Sequence, residues 1–288
     1  MRADSVPATR LAPAKINLSL EVLGTRPDGF HRLLSVMQTV TLFDRLTFAS
    51  SSRTVVRTGD PQLQQNNLVG RALDALAAET DSQDRWEVEL EKAIPVGGGL
   101  GGGSSDAATA LLAARDLGRM DVSAETLHRV AAMVGSDVPF FLRNGTALVG
   151  GRGELVAPLP EPKTAWYVLA RPGLRVPTSA VFDALPQSAW SGGEITRRVA
   201  ESIERDREVR FGINGLAETL FGLYPEARRC YEYVAALATR GATVSGTGPT
   251  CAGLFDHRDG AHAAAGRLAH EGYWTAVASS YSGNGTAR

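Results

Sequence analysis

From Thr9 to Leu23 the leucines, isoleucine and valine recur among small and polar residues in a way that predicts an extended segment, with Lys15 and Asn17 inside it. Asp28-Gly29 is a turn signal, and β-like character resumes over residues 33–49. Asn66-Asn67 precede a helical pattern carried by Leu68, Ala72, Leu73 and Leu76. Trp86, Val88 and Leu90 alternate with Glu87, Glu89 and Glu91, the period of two expected of a half-buried strand. A glycine-dense loop after Pro95 leads into a helix expected from about Ser105 to Leu117 and ended by Gly118. Ser123 opens the next helix and Gly135 closes it. Ser136-Asp137-Val138-Pro139 then reads as another helix start, with proline at a tolerated early position.

Residues 145–158 carry four glycines and predict a hairpin, and Pro158-Leu159-Pro160-Glu161-Pro162 is the best linker candidate. Beyond it, Trp166 to Ala170 reads as a strand and residues 193–239 as mostly helical. Ala242 to Leu254 reads as strands around a glycine-rich turn, and residues 260–270 as an alanine-rich helix. Residues 1–9 are polar and expected to fray. The pattern gives an α+β chain of two domains, 1–160 with the glycine-rich loop and 161–288.

Composition narrows the class. The chain has 288 residues, a formal net charge of -1 and 43% hydrophobic residues, enough apolar material for one or two sizeable cores. Near-neutral charge with scattered basic residues argues against nucleic acid or a membrane surface as partner. No apolar run approaches a membrane span, and Arg2 is not followed by a signal-like segment. Cys230 and Cys251 read as isolated thiols on a helix and a strand, which suits a reducing, cytoplasmic setting. His128, His257, His262 and His270 show no metal spacing. Lysine is almost absent: Lys15, Lys92 and Lys163 are the only three among 30 basic residues, a weak pointer to places where a compact ammonium matters, and two of the three fall inside the motifs below.

The chemistry concentrates in Pro95-Val96-Gly97-Gly98-Gly99-Leu100-Gly101-Gly102-Gly103-Ser104-Ser105-Asp106. Six glycines in seven positions are entropically costly and are kept where backbone must come close to something. Between a strand and a helix, they expose successive N–H groups beside a positive helix end, an anion cradle suited to phosphates. Ser104 and Ser105 are placed to cap the helix and to donate to phosphate or to a magnesium-bound water. A linker or tight turn is the plain alternative. A dinucleotide loop fits by spacing, but Asp116, the acid at the right distance, falls at a helix end, and no Gly-Lys-Ser/Thr follows for a Walker loop.

This loop resembles the ATP-binding motif of the galactokinase, homoserine kinase, mevalonate kinase and phosphomevalonate kinase superfamily. Ala12-Pro13-Ala14-Lys15-Ile16-Asn17-Leu18 resembles its first motif, and Val244-Ser245-Gly246-Thr247-Gly248-Pro249-Thr250 its third. Arg26-Pro27-Asp28-Gly29-Phe30-His31, Gly135-Ser136-Asp137-Val138-Pro139 and Gly151-Arg152-Gly153-Glu154 add a resemblance to one branch, which phosphorylates the 2-hydroxyl of a cytidine diphosphate-linked methylerythritol in the non-mevalonate isoprenoid route. The resemblance implies a two-domain kinase fold with its active site in the cleft between domains, ATP and Mg2+ as cofactors with no metal ligand assigned, and a monomer or homodimer.

It also implies roles: Asp137 as general base and Lys15 as charge stabiliser, against a helix cap and a strand-edge lysine as plain readings. The loop from Pro95 to Ser105, with Asn67 near adenine and Lys92, would line the nucleotide site. For these two the plain readings are a helix cap and an exposed strand-end charge. Phe30 and His31 would stack on and read cytosine, with Phe30 standing where Tyr is usual. Asn17, Thr178 and the Gly246-Thr247-Gly248 turn would hold the substrate or close over its phosphates. Asn214-Gly215 departs from the usual Asn-Asp. The rivals are a homoserine- or mevalonate-type kinase, a nicotinamide oxidoreductase and a non-catalytic nucleotide sensor.

Overall fold

The computed structural model describes residues 7–64 and 67–283. Residues 1–6, which include most of the segment expected to fray, and Asn66 lie outside the described residues. In chain order the elements begin with β1 (Ala8–Thr25), β2 (His31–Ser51), β3 (Val55–Thr58), α1 (Leu68–Thr80), β4 (Arg85–Glu91), α2 (Gly102–Gly118), α3 (Ala124–Val134) and α4 (Val138–Phe141). They continue with β5 (Thr146–Gly151), β6 (Leu155–Pro158), β7 (Trp166–Arg171), α5 (Thr178–Asp183), α6 (Glu194–Asp206), α7 (Ala217–Leu223), α8 (Pro225–Leu237), β8 (Ala242–Val244), β9 (Cys251–Phe255), α9 (Arg258–His270) and β10 (Trp274–Ser279).

These elements gather into two compact units that are not successive in sequence. One holds Met1–Ala14, Phe43–Ile94 and Gly101–Arg143; the other holds Lys15–Leu42, Pro95–Leu100 and Asn144–Arg288. A cut near residue 160 therefore falls inside the second unit, where the proline-rich run connects β6 to β7. Among the described residues, no helix is long and apolar enough to cross a membrane.

In the first unit, the end of β2 pairs antiparallel with β4, Arg45 opposite Glu91 and Ser51 opposite Arg85, and β3 runs parallel to β4. Trp86, Val88 and Leu90 are buried, as their alternation with glutamates predicts. α1 buries Val69, Ala72, Leu73, Leu76 and Ala77, the spacing of one helix face. α2 buries mostly alanines, whose small side chains let it lie close against α1.

α2 begins three residues earlier than the glycine content suggests. Gly101, at φ 70°, turns the chain into the helix without a side-chain cap, so Ser104 and Ser105 sit inside the helix and do not cap it. Packing explains the glycine at the start. A Cβ on Gly102 would stand 3.0 Å from Ile94 Cγ2 and 3.1 Å from Lys92 Nζ. At the far end Gly118 is still helical, and Arg119 at φ 53° is the cap.

In the second unit, β2 pairs with β5, Leu33 opposite Gly151, and β5 with β6 forms the expected hairpin. A four-stranded antiparallel sheet, ordered β10-β7-β9-β8, backs onto α5, α7, α8 and α9 through Val168, Val181, Leu220, Val234, Val244 and Leu268. Cys230 and Cys251, read as isolated, lie together in this core as free thiols. The hydrogen bond with Cys230, with burial, holds the Cys251 thiol well above its ordinary pKa, so it stays protonated. Glu21, 1% exposed, supplies what α6 lacks: its carboxylate accepts from Thr196 N–H at 2.7 Å and from Ser191 Oγ at 2.7 Å. Burial alone would raise its pKa, but these donors outweigh that and lower it.

Candidate active site

The first half of the glycine loop belongs to the second unit and is knitted there by backbone. Lys15 N–H donates to Leu100 O at 2.9 Å, Thr250 N–H to Gly98 O at 3.3 Å, and Ser245 Oγ to Gly99 O at 2.8 Å. Gly99 is irreplaceable on geometry: at φ 76°, a Cβ would fall 2.1 Å from Ser245 O. These bonds tie the glycine loop to Lys15 of the first motif and to Ser245 and Thr250 of the third.

Beneath the third motif lies a buried polar chain. Lys15 Nζ donates to Asn17 Oδ1 at 2.6 Å, Asn17 Nδ2 to Ser35 Oγ at 2.8 Å, and Ser35 Oγ to Ser19 O at 2.7 Å. A Cβ on Gly246 would lie 3.4 Å from Lys15 Nζ, so the ammonium sits directly against the turn. Asn214 shapes that turn: its Nδ2 donates to Val244 O at 2.8 Å and Gly246 O at 2.7 Å, while its Oδ1 accepts from Leu216 N–H at 2.9 Å. Thr247 Oγ1 lies 3.3 Å from Thr178 Oγ1.

The second half of the loop opens α2 in the first unit. With no side chain capping it, the start of α2 presents backbone N–H groups and a positive dipole end. Lys92, 15% exposed, is held between Asp44 and Asp106, its Nζ 2.6 Å from Asp106 Oδ2 and in short contact with Asp44 Oδ2. Asp44 Oδ1 also accepts from Ala93 N–H at 2.7 Å and Ile94 N–H at 2.8 Å. Burial would lower the pKa of Lys92, but the two carboxylates outweigh it and raise it. Asp106 is pushed up to about 7, chiefly by burial and against the pull of Lys92. Lys92 is thus an internal tie where an exposed strand-end charge was the plain reading.

Asp137 stands at the N-cap position of α4, where no side-chain capping hydrogen bond is formed. Asn67 does cap α1, accepting from Val69 N–H at 2.9 Å and donating to Leu63 O at 2.8 Å. In the second unit Phe30 is 49% exposed, with the Arg152 guanidinium 5.2 Å from its ring centroid. His31 stacks on Phe182 at 5.0 Å.

Several residues of these clusters escaped the reading of the sequence. Asp44 carries the one available signal, an acid set in an apolar strand run, but its partner Lys92 is 48 residues away. Phe182 and Ser35 carry none.

The chain matches the model of the GHMP kinases N terminal domain over residues 67–145 and that of the GHMP kinases C terminal over residues 197–273. The 4-diphosphocytidyl-2-C-methyl-D-erythritol kinase of Citrifermentans bemidjiense is 37% identical over 273 residues, covering 93% of this chain and 96% of that protein. The chain belongs to the GHMP kinases, in the 4-diphosphocytidyl-2-C-methyl-D-erythritol kinase family. The enzyme of the same name from Gloeobacter violaceus is 36% identical, covering 88% of this chain and 87% of its own. A crystal structure of a 4-(cytidine 5'-diphospho)-2C-methyl-D-erythritol kinase superposes with a TM-score of 0.78 at 35% identity, covering 94% of this chain and 99% of that one. A member of this family is an ATP-dependent small-molecule kinase, which disposes of the nicotinamide reading.

Proposed function

We propose that this kinase transfers the γ-phosphoryl group of ATP to the 2-hydroxyl of 4-diphosphocytidyl-2-C-methyl-D-erythritol, in the non-mevalonate route to isoprenoid precursors. The observation that carries the substrate is the pairing of an exposed Phe30 ring with the neighbouring His31–Phe182 stack, on a chain 37% identical to a kinase named for that compound. An exposed ring is a platform for a base, and the imidazole edge beside it offers hydrogen bonds.

In the reaction, the acceptor oxygen attacks the γ-phosphorus, the bond to the β,γ-bridging oxygen breaks, and ADP leaves. Asp137 takes the hydroxyl proton, and Lys15 stabilises charge on the attacking oxygen. Asn17 orients Lys15 through the 2.6 Å bond to its ammonium. The loop from Pro95 to Ser105 receives the phosphates on backbone N–H groups, with Lys92 fixing the first turn of α2 and Asn67 near the adenine. Thr178 and the Gly246-Thr247-Gly248 turn close over the substrate.

The Ser105 hydroxyl and Asp106 Oδ1 are buried without a hydrogen-bond partner among the described residues, which fits a hydrated Mg2+ held through water at the start of α2. Bound there, the ion would neutralise phosphate charge. A division near residue 160 is part of this reading at the level of the sequence, where the family models match residues 67–145 and 197–273 on either side of it, while the compact units interleave. So is a cytoplasmic setting, which suits two buried free thiols.

ADP release measured with ATP, magnesium and 4-diphosphocytidyl-2-C-methyl-D-erythritol, with mevalonate and homoserine as parallel acceptors, tests the proposal. Turnover with the cytidine compound alone is expected. Turnover only with another acceptor would overturn it while leaving the family assignment standing.

A further inference from the structure

Two loops of the second unit are bound to each other by charge. Arg26 grips Asp28 with its Nε 3.1 Å from Oδ2 and its Nη2 2.9 Å from the same oxygen, and Asp28 Oδ1 accepts from Phe30 N–H at 3.2 Å. The other end of Arg26 reaches Glu154 Oε1 at 3.4 Å, and Glu154 Oε2 accepts from Arg152 N–H at 2.6 Å. A continuous path therefore runs from the backbone of Phe30 to the backbone of Arg152. The turn that makes it possible needs glycine: at Gly151, φ 71°, a Cβ would stand 2.5 Å from the Glu154 carboxylate. With both backbones fixed, the Arg152 side chain crosses back over the Phe30 ring, its guanidinium carbon 5.2 Å from the centroid.

We infer that Arg152 is a specificity residue, whose guanidinium covers one face of the Phe30 ring and holds it as a platform for a pyrimidine base on the other. This rests on the substrate reading above. Phe30 has no hydroxyl by which a hydrogen bond could fix its ring, and a half-exposed ring left alone must be ordered when a base stacks on it. A guanidinium is planar, weakly hydrated and attracted to the ring's negative face, so it orders the ring beforehand without competing for the opposite face. The Gly151-Arg152-Gly153-Glu154 motif, which the phosphoryl-transfer chemistry leaves unused, thereby gains a role in choosing the acceptor.

The test compares Arg152→Ala and Arg152→Lys with the natural protein, and repeats Arg152→Ala in a Phe30→Ala background, with 4-diphosphocytidyl-2-C-methyl-D-erythritol as acceptor. Arg152→Ala is expected to raise KM for the acceptor about three- to tenfold, the scale of ordering one side chain, while KM for ATP stays where it was. Arg152→Lys should recover part of the loss, and in the Phe30→Ala background Arg152→Ala should add less than about a twofold change. An unchanged or lowered acceptor KM in Arg152→Ala would overturn the inference, since the guanidinium would then be idle or in the way. An equal rise in both backgrounds would also overturn it, because Arg152 would then act on the substrate and not through the ring. The substrate reading fails separately, and takes this inference with it, if Phe30→Ala leaves the acceptor KM unmoved.

Discussion

Lys92 and Lys15 each lie against glycine-rich backbone, one in each unit, and they are oriented by different groups. Lys92 sits between two carboxylates, so its charge is neutralised within the fold and serves to tie the end of β4 to the start of α2. Lys15 is oriented by an amide oxygen, Asn17 Oδ1 at 2.6 Å, at one end of a buried polar chain that runs on through Ser35. A buried ammonium between carboxylates is an architectural tie. In the proposed mechanism, the ammonium that Asn17 aims against the Gly246 turn directs its field at whatever the turn encloses.

The comparison can be broken at its chemical end first. Asp137→Asn is expected to lower turnover by about 10²- to 10⁴-fold, the range of a positioned general base, with nucleotide affinity nearly intact. Equilibrium binding of an ATP analogue alongside steady-state rates separates the two effects, and unchanged turnover would remove Asp137 from the mechanism.

At the architectural end, Asp44→Ala strips a fully buried acceptor from Lys92 and from the N–H groups of Ala93 and Ile94. Breaking one partner of such a cluster costs about 3–5 kcal/mol, and thermal unfolding should show a Tm lower by about 6 °C or more. A smaller shift would mean that Lys92 and Asp106 hold without Asp44.

Phe30→Ala removes the exposed ring. Losing an aromatic platform for one base costs about 1–3 kcal/mol, so KM for the cytidine acceptor should rise by about five- to 150-fold while KM for ATP stays. Equal effects on both KM values would show that the ring does not serve the base.

Glu21 sharpens the contrast, since its buried carboxylate is kept ionised by neutral donors where Asp106, deprived of them, is pushed up to about 7. Glu21→Gln should cost about 1–3 kcal/mol near neutral pH. Because the folded pKa lies below the ordinary 4.5, the natural protein's advantage is complete above that value and disappears as pH falls through the lowered one. Melting curves of both proteins down the pH scale should converge in acid.

Local elements were largely legible in the sequence because their signals are local: the alternation of Trp86, Val88 and Leu90, the Ser123 and Gly135 caps, the hairpin glycines. The start of α2 was not, because glycine's poor helix propensity points to loop, whereas Lys92 and Ile94 pack so close to Gly102 that a side chain there would crowd them. The motif residues of the site were visible as types and spacings. Their partners were not: Asp44 meets Lys92 across 48 residues, Asn17 meets Ser245 across 228, and Cys230 finds Cys251 only when a helix packs on a sheet. Long-range pairing of this kind has no sequence period to reveal it.

Lys15→Met and Lys92→Met, assayed side by side for turnover and for Tm, test the contrast between the two lysines most directly. The account predicts that Lys15→Met melts within a few degrees of the natural protein and loses at least about 10²-fold in turnover. Lys92→Met is predicted to melt well below it, with its kinetic loss appearing in KM for ATP. A Lys92→Met protein of natural Tm with collapsed turnover, or a Lys15→Met protein that unfolds early yet turns over normally, would contradict it.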